Sequence, residues 1–201
     1  MRTFIAQQLR PAVLLLILLT LITGVAYPGV VTAIGQTVFP SQANGSFITV
    51  NGQAVGSSLI GQAFDQPKYF WGRPSDAGAT ASNPAGYDGT SSAGSNLGPT
   101  SKALIDRITA SVDQLRQANG NGPIPVELVT TSASGLDPDI SPAGADYQVA
   151  RVAAARGMTV DAVRAVVARH TTQPFLGFIG EPIVNVLELN LDLDGLLTTK
   201  S

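Results

Sequence analysis

His170 is the only histidine in a chain of 201 residues that contains no cysteine, so a catalytic triad or a zinc centre would have to be built around that one imidazole. No Gly-x-Ser-x-Gly elbow accompanies it. Its position at the end of a helical pattern better suits a capping side chain at a helix C-terminus. Asn190, Asp192, Asp194 and Gly195 stand at positions 1, 3, 5 and 6 of a calcium-loop pattern, but the twelfth position, which needs a bidentate glutamate, is Ser201. Asp137 and Asp139 bracket Pro138, and carboxylates so close in a turn suit turn formation rather than acid and base chemistry. Gly94 to Thr100 forms a glycine-bracketed loop leading into a helical pattern, where backbone N–H groups can hold an anion or a partner's carbonyl; no Gly-Lys-Ser/Thr closes it as a P-loop. The densest aromatic cluster is Tyr69-Phe70-Trp71, followed by Gly72-Arg73-Pro74-Ser75. Consecutive side chains of an extended segment alternate in direction, so at least one of these aromatics is expected to face a partner or lipid headgroups.

The elements that position these groups begin with an anchor. No charged residue occurs between Arg10 and Asp65, and Ala12 to Tyr27 is almost wholly Leu, Ile, Val and Ala. A helix from about Gln8 to about Val30 meets the roughly 20 residues that a bilayer core requires. Arg2 and Arg10 precede it, and the next basic residue is Lys68, so the positive-inside bias puts the N-terminus in the cytoplasm. A cleavable signal peptide shares the arginines, the apolar core and the small-x-small triplet Gly24-Val25-Ala26, but the apolar core is longer than such peptides use. Residues 1–35 are therefore read as a cytoplasmic N-terminus with one transmembrane helix, and 36–201 as an extracytoplasmic domain.

That domain is long enough for a single core. Setting aside Arg2 and Arg10 leaves ten Lys and Arg against fourteen Asp and Glu, an acidic balance that argues against a nucleic-acid partner and against a DNA-reading role for the helix-turn-helix-like AAARGMTVDAVRAV. Asn51-Gly52 between Phe47-Ile48-Thr49-Val50 and Gln53-Ala54-Val55 predicts a β-hairpin with a type I′ turn. Pro67 to Pro99 reads as a long loop, functional or disordered. A helix is expected from an N-cap at Thr100, with Leu104, Ile108, Val112 and Leu115 on one stripe, to a stop at Asn119-Gly120. A strand over Pro125–Thr130, a helix from Pro142 capped by Ser141 and ended by Gly157, a second after Thr159 running to His170, and a half-buried strand from Asn185 to Asp192 complete the pattern. The fold class is α+β: one N-terminal transmembrane helix followed by a small extracytoplasmic α+β domain.

Taken in order, GSSLIGQAF from Gly56, YFWGRPS from Tyr69, GSNLGPTS from Gly94, SGLDPDISP from Ser134, YQVARVAAARG from Tyr147 and LGFIGEPIVNVLELNLDLD from Leu176 resemble the C subunit of the Kdp potassium-transporting P-type ATPase. Departures are Ala93 where a glycine is common, Asp139 where a histidine is common, Thr171 to Pro174 where an acidic and basic pair is common, and an irregular Asp76 to Ser92. The resemblance implies an accessory, non-catalytic, single-pass subunit of the cell membrane. Its partners would be a potassium-binding channel-like subunit, a P-type ATPase subunit and a small membrane subunit. It also implies a catalytic chaperone that raises the pump subunit's affinity for ATP in a transient ternary complex. The topology sets the domain across the membrane from a cytoplasmic ATP site, so the favoured expectation is a cap on the outer mouth of the potassium-conducting subunit, with no cofactor or metal of its own. The expected contact residues are Arg10, Leu14, Leu15 and Leu18 on the anchor, and Tyr69, Phe70, Arg73, Asn96 and Pro99 on the domain. The alternative is an anchored or secreted binding module unrelated to ion transport; a hydrolase stands third, for want of a nucleophile, base and orienter.

Overall fold

The apolar run from Ala12 to Tyr27 forms helix throughout in the computed structural model, which describes residues 2–197. Helix α1 (Arg2–Leu21) passes through a π-turn (Ile22–Ala26) into α2 (Tyr27–Val38). The π-turn has a local cause. Pro28 brings no N–H to the ladder, and the helix widens just before it, with the Tyr27 N–H donating to the Ile22 carbonyl five residues back. Gln7–Val38 is the one helix among the described residues long and apolar enough to cross a membrane, and this chain buries none of it. It continues past the expected end near Val30 and is longer than the roughly 20 residues a hydrocarbon core requires.

The chain divides into two units, one up to Phe47 and one from Ile48 onward. After the short α3 (Pro40–Ala43), strands β1 (Phe47–Val50) and β2 (Gln53–Ser57) pair across the expected turn, in which Asn51 and Gly52 both take positive φ, 51° and 80°. A Cβ on Gly52 would meet no atom within 4 Å, so Gly52→Ala carries only backbone strain. It is expected to cost about 1 kcal/mol in thermal unfolding.

The stretch from Ser58 to Ser101 contains no helix or strand, yet it is held by specific bonds. The Ser75 hydroxyl donates to the Gly135 carbonyl at 2.6 Å and accepts from the Tyr87 N–H at 2.9 Å. Asn83 Nδ2 donates to the Gly78 and Gly86 carbonyls. Gly135 sits at φ 67° with Ala93 O 2.4 Å and Ala77 N 2.7 Å from where a Cβ would stand. Only glycine lets these three segments meet.

Helix α4 (Lys102–Asn119) is entered from Ser101, which makes no side-chain cap bond, and not from Thr100. Its half-buried Ile108 and Val112 and buried Leu115 pack on the core as the stripe requires. The expected strand at Pro125–Thr130 is instead a 3₁₀ turn over Val126–Leu128. The Leu128 N–H donates to the Pro125 carbonyl and the Val129 N–H to the Val126 carbonyl, both at 3.1 Å, so the backbone bonds that a strand would offer a neighbour are closed locally. Strand β3 (Asp139–Ile140) leads to α5 (Pro142–Arg156), α6 (Val160–Arg169), β4 (Thr171–Thr172), β5 (Ile183–Asn185) and α7 (Val186–Leu193). Ser141 Oγ accepts from Gly144 N, Gly157 ends α5 in the left-handed region, and Thr159 Oγ1 caps α6. The small sheet runs β3-β5-β4, antiparallel, with Asp139 opposite Asn185 and Thr171 opposite Val184.

The expected strand from Asn185 to Asp192 is the largest correction, because Val186 onward is helix. Asn185 Oδ1 accepts the Glu188 N–H at 3.1 Å, the cap-to-N3 spacing of a helix start. Val186, Leu187, Leu189, Asn190 and Leu191 are all buried, so the helix lies deep in the domain. The core is built by Phe70, Ile140, Val149, Val152, Val163, Val184 and Leu189 from α5, α6, α7, the sheet and the aromatic segment.

Candidate functional site

The segment Tyr69-Phe70-Trp71 leaves a turn at Tyr69 and belongs to no helix or sheet; side chains satisfy its backbone instead. Asn190 on α7 accepts the Phe70 N–H at 2.8 Å and donates to the Phe70 carbonyl at 2.9 Å. Gln148 on α5 does the same for Trp71, accepting its N–H at 2.8 Å and donating to its carbonyl at 3.0 Å. One turn further along α5, Arg151 donates to the Pro67 and Tyr69 carbonyls, to Asn119 Oδ1 and to Gln148 Oε1. Its guanidinium lies 4.0 Å from the Trp71 ring centroid. Burial pushes this guanidinium down to about 10, which leaves it charged at neutral pH among neutral acceptors. Gln148, Arg151 and Asn190 went unpredicted. Their signal was present as polar residues on otherwise apolar helix faces, three apart in YQVAR and within NVLELNLDL.

Phe70 is 0% exposed, so this expected contact residue packs in the core and offers a partner no surface. Tyr69 and Trp71 stay half-exposed on either side. The Tyr69 hydroxyl donates to Asp194 Oδ2 at 2.8 Å, and Arg156 bonds Asp194 Oδ1 at 2.8 Å. Burial alone would raise the Asp194 carboxyl, but the bonds from Tyr69 and Arg156 outweigh it and hold it below its ordinary value. Asp192 is held down in the same way by His170 and Arg169 against the effect of burial. His170 Nε2 lies 2.9 Å from Asp192 Oδ2 at the C-terminus of α6. Thus the side chains of the calcium-like pattern tie α7 to its neighbours, while Ser201 lies outside the described residues. Among the described residues no group of three or more His, Cys, Asp or Glu is placed to hold a metal ion.

Arg73 reaches the other end of the domain core. Its Nη1 bonds Asp137 Oδ2 at 2.9 Å and its Nη2 donates to the Thr131 carbonyl, and the Arg73 carbonyl accepts from the Tyr87 hydroxyl. Burial, with Asp137 adding to it and Arg73 opposing, pushes the Tyr87 hydroxyl up to about 12. Asp137 and Asp139 do shape a turn, since Asp137 Oδ1 accepts the Asp139 N–H at 3.1 Å. Asp139 is raised above its ordinary value, by burial first and then by Asp137 and Glu188, against the Asn185 bond. A carboxyl raised by folding takes up its proton more readily in the folded state, so stability rises as pH falls through the folded value, and the charge is a cost above it. Asp139→Asn is therefore expected to raise the unfolding temperature at neutral pH. The gain is below about 1 kcal/mol after screening of a half-exposed group, and it should vanish when unfolding is measured near pH 3.

Asn96 and Pro99 are exposed in the turn before α4. Asn96 takes φ 52° and bonds the Gly94 carbonyl at 3.1 Å. On α1, Leu14, Leu15 and Leu18 are all more than half exposed, and Arg10 is exposed near its start. The expected contact residues thus fall in four places: the anchor, the pinned aromatic segment, Arg73 beside Asp137, and the turn before α4.

Residues 9–195 match the family model described as KdpC: K+-transporting ATPase, c chain. A Potassium-transporting ATPase KdpC subunit of Sorangium cellulosum (strain So ce56) is 58% identical over 190 residues, 94% of this chain and 97% of that protein. The same-named subunit of Herpetosiphon aurantiacus is 55% identical over 96% of this chain and 97% of its own length. That of Rhodopseudomonas palustris (strain BisB18) is 53% identical over 94% and 98%.

Proposed function

The chain belongs to the KdpC family, the c chain of the K+-transporting ATPase, and on that premise we propose that it is an accessory subunit through which a potassium-transporting ATPase is assembled and kept turning over. The observation that carries this reading is that the family match spans both the membrane helix and the domain, residues 9–195. The helix Gln7–Val38 buries none of its apolar length within the chain. That surface is available to lipid and to the helices of partner subunits, and Leu14, Leu15 and Leu18 with Arg10 are the residues proposed to meet them. The N-terminus is on the cytoplasmic side and the domain on the outer side, as Arg2 and Arg10 at the N-terminal end of the helix direct.

The proposed partners are a potassium-binding channel-like subunit, a P-type ATPase catalytic subunit and a small membrane subunit, with the domain steadying the outer mouth of the potassium-conducting one. A rise in the pump's ATP affinity is then transmitted through the assembly as a coupling between distant sites, without the domain touching nucleotide. Purification of the C-terminally tagged chain from gently solubilised membranes of potassium-starved cells tests the first part. Stoichiometric recovery of a P-type ATPase and a channel-like protein is expected; recovery of the chain alone would refute it and favour the unrelated binding module. Micromolar binding of ATP to the purified chain, competed by unlabelled ATP, would overturn the indirect route and restore direct nucleotide contact.

A further inference from the structure

Between β4 and β5 the chain leaves the domain surface as an apolar tongue. Phe175, Leu176, Phe178 and Ile179 are 70%, 69%, 76% and 51% exposed, four large apolar side chains in five consecutive positions. An isolated exposed leucine is ordinary, but such a cluster on a soluble domain marks a surface that something covers. The tongue is shaped in advance. The Phe175 N–H donates to the Ile179 carbonyl at 3.0 Å and the Ile179 N–H to the Phe175 carbonyl at 2.9 Å. Leu176 is held at φ 53° beside Gly177 at 81°, a conformation that leucine enters at a cost and that no core contact of its own offsets. Preorganised apolar side chains lose little freedom on docking.

At the base of the tongue lies a cleft of about 390 Å³, lined among others by Val126, Glu127, Asp137, Asp139, Glu181 and Ile183. Arg73 is its only cationic side chain and is already paired with Asp137. Glu127 is engaged with Ser141 and Asp139 with Asn185, while Glu181 has no hydrogen-bond or ion-pair partner among the described residues. The surface is therefore apolar at its tip and acidic at its root. A bilayer is a poor occupant for it, because segments seated in the headgroup layer carry Trp, Tyr, Lys or Arg, and residues 171–185 contain none of these.

We propose that the tongue and its acidic cleft dock onto another protein subunit of the transporter, one that presents an apolar socket beside a lysine or arginine side chain. The proposal rests on the subunit reading above. Phe178 and its neighbours fill the socket, and Glu181 meets the cation.

The test uses the whole complex, purified through a tag on this chain. Phe175→Ser combined with Phe178→Ser is expected to cut recovery of the partner subunits at least tenfold, and Glu181→Lys several-fold. Leu176→Gly keeps the test sound should the double variant fold poorly: it removes one tip side chain while relieving the positive φ, so the unfolding temperature should hold or rise while recovery falls. A photoreactive phenylalanine analogue in place of Phe178 should attach to a protein subunit. Attachment only to lipid would overturn the proposal in favour of a membrane-seated tongue, and undiminished recovery of partners with all variants would overturn it outright. In both cases the unaltered chain would still bring down its partners, so the subunit reading would survive; if the unaltered chain brought down none, that reading would fall and the docking surface with it.

Discussion

Arg151→Leu is expected to lower the unfolding free energy by about 3 kcal/mol, read as a shift in the urea midpoint of the detergent-solubilised chain. Two effects compete. The guanidinium is buried without a carboxylate partner, and burial pushes it down to about 10, so its removal returns part of a desolvation cost. Against this, the Pro67 and Tyr69 carbonyls and Asn119 Oδ1 lose their donor, and each such partly buried acceptor left bare costs about 1 kcal/mol, with the stacking on Trp71 lost besides. The orphaned acceptors win. Trp71 is the only tryptophan in the chain and lies under the guanidinium, so its emission reports on this locus. Arg151→Lys reaches fewer of the acceptors and should fall between the two. A midpoint unchanged in Arg151→Leu would mean that water satisfies those carbonyls and that the side chain does not hold the segment.

Phe70→Ala is expected to cost about 3–5 kcal/mol, through lost burial and the cavity left among Val149, Val184 and Leu189. For a chain of this size that corresponds to an unfolding temperature lower by roughly 10 °C. The comparison with Phe70→Leu separates a core role from a partner contact. A core residue should lose only about 1 kcal/mol with leucine, which keeps most of the volume, and recovery of partner subunits should follow stability. If Phe70→Leu left stability intact but abolished partner recovery, the burial in the isolated chain would not be its state in the complex.

Where local signals acted alone, the sequence was a sufficient guide. Asn51-Gly52 placed the hairpin turn, Ser141 with Pro142 and Gly157 bounded α5, and Thr159 opened α6. The failures came where two periods were present in one stretch. Leu187, Leu189 and Leu191 alternate like a strand, yet Asn185 and Glu188 carry helix-cap spacing, and the cap decided, with Val186 and Asn190 buried as well as the leucines. Leu128 and Val129 likewise give a strand-like composition, but their N–H groups close a 3₁₀ turn on Pro125 and Val126. The candidate contact surface was less legible. Whether Phe70 faced in or out depended on Asn190 and Gln148, and whether Phe175 to Ile179 faced out depended on how β4 and β5 pair. No local rule reaches that far along the chain.

The pinning of the aromatic segment by side chains also orders events in time. Trp71 meets Gln148 across 77 positions and Phe70 meets Asn190 across 120. A chain emerging from the ribosome N-terminus first shows its aromatic segment long before the residues that fasten it exist. The hairpin at Asn51-Gly52 and the α5–α6 pair can form from nearby residues alone, whereas this segment is fastened at Trp71 only after α5 and at Phe70 only after α7 has been made, each at the entropic cost of a long loop. Stop codons placed before Gln148 should therefore leave Trp71 in water, whereas those placed between Arg151 and Asn190 should leave Trp71 fastened and Phe70 loose.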